Sequence, residues 1–223
     1  MSLTRYGYRN AIDGFFEFPT ENARRILPPG IEPAELHHGS SILSVTAFDF
    51  TESEVGSYGE LVMSVLVPPL VKKDEKLPKG AFYPYLVATT TKAAREHAIE
   101  RWHLPHWMED IAMAFVPGER RLTAKVSLDG APVAELTITD HSWAPVSHPY
   151  QSFMKDTSGS YLAKIQMEGS QSEHEEETGL LRLHDHPFHK DLSIADVFEV
   201  PFRELWMREG VQTFQPLLQI QNA

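Results

Sequence analysis

The chain has no cysteine among its 223 residues. Disulfides, thiol nucleophiles and thiolate metal sites are therefore excluded, and a small disulfide-stapled secreted fold is untenable. Basic residues are scarce: 20 Lys and Arg stand against 31 Asp and Glu, a formal charge of −11. Nucleic acid and anionic membrane surfaces both require clustered Lys and Arg, so neither is expected as a partner. Long apolar runs are missing as well. No segment approaches the roughly 18 apolar residues of a membrane span, and MSLTRYGYRNAIDGFF has no uninterrupted apolar core of signal-peptide length. A cytoplasmic location is expected.

What remains is a chain with 42% hydrophobic and 23% charged residues. That composition can bury one substantial core, and all-β or barrel domains often reach this length undivided, so residues 1–223 are read as one domain. Strands dominate the pattern. In RLTAKVSL-DG-APVAELTIT, Leu122, Ala124, Val126 and Leu128 alternate with polar residues, as do Ala134, Leu136 and Ile138 after the turn. Asp129-Gly130 is a favoured two-residue hairpin turn because both central positions need positive φ. SSILSVTAFDF and YGELVMSVLVP form a second strand pair joined by TESEVGS; the latter is apolar on both faces, which predicts a central strand.

Helices are expected to be few. Thr91 suits the N-cap of a helix over Lys92 to about Arg101, which Pro105 forces to end near Trp102. A shorter helix is expected from Pro105, another over Glu21–Ile26, and a third over Val200–Arg208. Residues 68–80 and 168–178 read as solvated loops by their charge.

The motifs are similar to those of the acetoacetate decarboxylase-like family. In that family a helix ending Gly-Arg-Glu leads into a Pro-Lys-Lys turn, whose first lysine forms a Schiff base with the substrate ketone. Here TTTKAAREHAIE leads into RWHLPHW: Pro105 is kept, His106 and Trp107 take the lysine positions, and Ala98 and Ile99 take the Gly-Arg positions. ILPPGIEP resembles the family's Leu-Pro-x-Gly-Leu segment, GSYGELVMSV its Gly-x-Tyr-x-Glu strand, SYLAKIQ its Tyr-x-Leu-Lys strand and LLRLHDHPFHKDL its Leu-x-Leu-x-x-His segment. The resemblance implies an α+β, predominantly antiparallel fold, a cone-shaped β-barrel with a few short helices, commonly assembled into homo-oligomers. It also implies a pocket holding Glu60, with Arg9 as partner or carboxylate clamp, and with Tyr58, Tyr83 and Glu100 at matching positions. The family's other pocket glutamate falls near Leu43–Val45, where there is no carboxylate.

Imine catalysis needs an unprotonated primary amine, and acetoacetate decarboxylase is a standard illustration of it. Imidazole forms no stable imine with a ketone, so His106 is restricted to acid, base, hydrogen-bonding or direct nucleophilic roles. The resulting expectation is a lyase-like protein that takes a small oxo acid or carboxylate. His106 and Glu60 would share the proton work, Arg9 would hold the carboxylate, and Trp107 would narrow the site. The alternatives are a non-catalytic small-molecule-binding protein, or a decarboxylase using Lys164, which lies in an apolar strand context. HDHPFH, with His184, His186 and His189, and the pair His103 and His106 could be drawn as metal sites. Their spacing is looser than His-Glu-x-x-His, so no metal and no cofactor is assigned.

Overall fold

A computed structural model describes residues 3–73 and 75–220; Asp74, in the 68–80 segment, lies outside the described residues, as do the extreme ends. Seven strands close a barrel: β1 (Thr4–Pro19), β12 (Arg203–Phe214), β10 (Gly159–His174), β9 (Ala144–Asp156), β5 (Gly80–Thr89), β4 (Tyr58–Leu66) and β3 (Ser40–Glu52), with β3 returning to β1. Short strands β2 (Glu35–His37) and β13 (Leu218–Ile220) extend β3 and β10. A second, four-stranded sheet runs β11 (Leu180–Leu183), β8 (Ala131–Thr139), β7 (Arg121–Leu128), β6 (Ala112–Gly118). The barrel is mixed, because β5 and β9 pair in parallel across Gly80↔Tyr150 to Phe82↔Ser152.

The strands of the barrel show why β4 is apolar on both faces. Leu61, Met63 and Val65 pack outward in the main core with Leu136 and Ile138 of the second sheet, while Glu60, Val62 and Ser64 line a cavity inside the barrel. The core thus lies between barrel wall and covering sheet, and the barrel interior is left for a site. The β7–β8 hairpin forms as its sequence requires, with Asp129 and Gly130 at φ 48° and 82°.

Helix α1 spans Thr20–Ile26 and α2 spans Lys92–Trp102. The Thr91 side chain accepts the Ala94 N–H, and His103 ends α2 in the left-handed region at φ 54°. The helix expected from Pro105 does not form, because that backbone is used elsewhere: Val87 N–H donates to Pro105 O and Trp107 N–H donates to Val87 O. The helix expected over Val200–Arg208 is replaced by strand β12, whose Leu205 and Met207 face the cavity while Trp206 packs outward. The 168–178 loop is likewise shortened, since β10 continues to His174 and buries Gln171 and Ser172.

Candidate active site

The barrel interior holds a cavity of about 130 Å³ that is partly open to solvent. Its wall is largely apolar, with Phe48, Phe82, Trp102, Tyr150 and Phe214 supplying rings and Met154, Met167 and Met207 supplying thioethers. Two carboxyl groups interrupt it. Glu60 enters from β4 and Asp13 from β1, and among the described residues lining the cavity there is no lysine, arginine or histidine.

The register fixes their relation. Asp13 pairs with Thr46, Thr46 with Val62, and Glu60 lies one inward position further along β4. The two carboxyls are therefore separated by two strand spacings across the wall, at most about 10 Å, and by about 7 Å along it. Ser44 donates to Asp13 Oδ1 at 2.9 Å, so this carboxyl sits in a hydroxyl-rich corner with Thr46 and Ser64. Enclosure raises Asp13 to about 7, against the opposing effect of the Ser44 and Thr46 hydrogen bonds. Glu60 rises further, to about 8, through desolvation. Both changes have one cause: a charge enclosed by apolar atoms loses its hydration, so the neutral acid is favoured.

Helix α2 closes one end of the cavity with Trp102. The indole N–H donates to Tyr6 Oη at 2.7 Å, and Tyr6 Oη is in turn hydrogen-bonded with His97 Nε2 at 2.7 Å. Phe214 packs on the Trp102 ring at 4.6 Å. These contacts tie β1, β12 and α2 together at the closed end.

Of the residues singled out from sequence, Glu60 lines the cavity. Tyr58 packs beside it with its ring 4.9 Å from Phe50, and the two groups interact electrostatically. The others lie elsewhere. Arg9 is 64% exposed and pairs with Asp49, because an extra residue in β1, between Tyr8 and Asn10, turns it out of the barrel. Glu100 is on the exposed side of α2. Tyr83 faces outward into the main core. His106 donates from Nδ1 to Trp107 O at 2.6 Å and borders a different recess, with Tyr85, Phe188 and Lys190, outside the barrel wall. Desolvation lowers its affinity for a proton. Trp107 packs on Phe188 in the same recess, at 5.4 Å. The expected sharing of proton work between His106 and Glu60 therefore has no geometric basis, nor has the expected clamp by Arg9.

Lys164 also points away. Its neighbours Ile165 and Met167 line the cavity, whereas its ammonium reaches Glu75 at 3.1 Å. The HDHPFH histidines hold local structure: His186 Nδ1 accepts the Phe188 N–H, and His189 Nε2 donates to Val133 O. Among the described residues no group of three or more His, Cys, Asp or Glu side chains is placed to hold a metal ion. No helix among them is long and apolar enough to cross a membrane.

Sequence reading missed Asp13 and Trp102. Asp13 carried a signal, an acid inside the apolar run NAIDGFFEF, but its inward direction depends on the irregularity at Arg9. Trp102 was visible as a residue of RWHLPHW, but nothing in sequence shows that it lines the cavity.

No protein-family model matches the chain, and no curated protein matches it. Solved structures do. Acetoacetate decarboxylase from Legionella pneumophila superposes with a TM-score of 0.64 at 16% identity, covering 97% of this chain and 86% of that one. The enduracididine biosynthesis enzyme MppR complexed with pyruvate gives 0.63 at 12% identity, covering 100% and 92%. An acetoacetate decarboxylase-like enzyme from Sphingomonas wittichii RW1 gives 0.59 at 13%, covering 99% and 94%. The chain therefore has the acetoacetate decarboxylase-like fold.

Proposed function

We propose that this chain binds a small oxo compound in the barrel cavity and moves protons on it through Glu60, without an imine. One observation carries the reading: two carboxyl groups face a largely apolar cavity whose described lining contains no amine. A volume of about 130 Å³ suits a ligand of few heavy atoms; a dry cavity of about 150 Å³ admits benzene. The similarity in fold to MppR, whose structure is complexed with pyruvate, supports an oxo ligand of that size.

Glu60 is suited to the proton work because a group titrating at about 8 is a stronger base than an ordinary carboxylate and still exchanges protons near neutrality. As carboxylate it would take a proton from the carbon beside the carbonyl. The C–H electron pair forms C=C, and the carbonyl π pair moves to oxygen. As acid, Glu60 would return the proton to that oxygen or to carbon. Asp13 would position the ligand from two strands away along the same wall, held by Ser44. Removal of one acid–base group of this kind costs roughly 10²–10⁴ in rate.

The test is deuterium exchange from solvent into the α-position of acetone, hydroxyacetone and pyruvate, followed by NMR. Exchange is expected to rise with pH through about 8 as Glu60 ionises, and Glu60→Gln should lower it by ~100-fold or more. Borohydride treatment with the same compounds should leave the protein mass unchanged. A reduced adduct would establish an imine and overturn the mechanism, as would exchange unaffected by Glu60→Gln. The second reading, a binding protein without turnover, is favoured by the placement of His106 outside the cavity; binding by thermal shift with no exchange would select it.

A further inference from the structure

Resting on that reading, we infer that the ligand of the barrel cavity carries a positive charge on nitrogen: a small amino-oxo compound, with its ammonium group at Asp13, where an oxo acid would place a carboxylate. The cavity wall itself supplies the argument. A carboxylate ligand would have no cation to pair with, since the described lining offers no Lys, Arg or His; its neutral donors are partly taken, as Ser44 donates to Asp13 and Gln151 to Leu70 O, and they would have to hold the charge beside two carboxyl groups. Arg9, the one arginine placed by resemblance to grip a carboxylate, is occupied outside with Asp49.

The proton chemistry uses Glu60 and leaves the second carboxyl without a reacting partner. An oxo group alone would be served by one acid, so Asp13 calls for a further ligand group. Its surroundings specify which one. Tyr150 and Phe82 line the same cavity, with ring centroids 6.2 Å apart, and the Tyr150 hydroxyl lies within the electrostatic field of Asp13. A carboxylate and aromatic rings sharing one cavity suit an organic ammonium, because an ion pair and ring faces both attract it once water is excluded. The Ser44 and Thr46 hydroxyls already hydrogen-bond the Asp13 carboxyl, which orients it and leaves its remaining lone pairs for the ligand's N–H groups. The formal charge of −11 acts in the same direction, drawing cations and repelling anions before they reach the barrel.

Three near-isosteric probes separate the possibilities: aminoacetone, hydroxyacetone and pyruvate, which place an ammonium, a hydroxyl or a carboxylate beside the same carbonyl. Titration calorimetry on the intact chain should show aminoacetone binding at least ~10-fold tighter than hydroxyacetone, with pyruvate weakest, and Asp13→Asn should abolish the preference for the cation while hydroxyacetone still binds. The ranking in the unaltered chain needs no variant, so poor folding of Asp13→Asn leaves the test intact. Pyruvate binding tightest, or a cation preference that survives in Asp13→Asn, would overturn the inference while leaving the acid–base reading standing. Failure of all three probes to bind would overturn both.

Discussion

Asp13 and Glu60 are weak acids in the folded chain and ordinary carboxyl groups in the unfolded one. Their folded values, about 7 and about 8, lie above the unfolded values near 4, so between those limits the native state holds protons that the unfolded chain has released. The sign follows directly: each group's favourable contribution is complete at low pH and is lost as pH rises towards the folded value. For one such group the slope is at most roughly 1.4 kcal/mol per pH unit, reduced by water within the cavity. Denaturant unfolding at pH 5.5, 6.5, 7.5 and 8.5 should show Glu60→Gln gaining stability relative to the unaltered chain as pH rises, with Asp13→Asn behaving likewise over a lower range. A flat difference across this series would mean that the two acids are hydrated in the folded state. Glu60 was legible because it interrupts a strand that is apolar on both faces, whereas Asp13 was not, since alternation assigns direction only while a strand stays regular.

Among the elements, β12 shows most clearly where local pattern gives way to tertiary context. Residues Val200–Arg208 permit a helix by composition, yet the finished barrel needs a strand between β1 and β10, and alternate burial of Leu205, Trp206 and Met207 on opposite faces satisfies it. Propensity loses where ladder hydrogen bonds and two packed faces are both available. The regular hairpin at Asp129-Gly130 and the capped helix α2 were legible for the opposite reason, because their signals are local. The end of β12 also anchors the second sheet. Glu204 is fully buried and accepts from the Thr139 N–H and hydroxyl, the Thr178 N–H and hydroxyl, and the Gly179 N–H. Glu204→Ala leaves those donors enclosed without an acceptor and should destabilise by about 3–5 kcal/mol, measured as a shift in the denaturant midpoint. Glu204→Gln should recover part of this, as its amide oxygen can accept some of the same bonds.

At the scale of the molecule, the barrel closes unevenly. Strands β9 and β10 pair continuously from Gly159↔Asp156 to Gln171↔Ala144, whereas β5 and β9 share only the short parallel seam from Gly80 to Phe82. The seam borders the cavity through Phe82, Tyr150 and Ser152, so its opening would give a ligand a way in. Amide exchange should be fastest, among the barrel strands, at Ala81–Phe82 and Gln151–Ser152, and should slow when a cavity ligand is bound; uniform protection around the barrel would contradict this. The irregularity at Arg9 has a different kind of consequence. β1 carries one residue more than β3 between Tyr8 and Asn10, yet its ladder with β12 runs past Arg9 in unbroken register, from Tyr8↔Gly210 to Asn10↔Arg208, so the extra residue is unmatched on one side and counted on the other. Removing Arg9 would therefore restore the match to β3 only by slipping the β12 ladder by one residue, so the length at this point is fixed even though the side chain is turned out. A strand whose two neighbours count its residues differently tolerates a change of side chain there but not a change of length: Arg9→Ala should leave the rise in melting temperature on binding a cavity ligand intact, whereas deletion of Arg9 should abolish it.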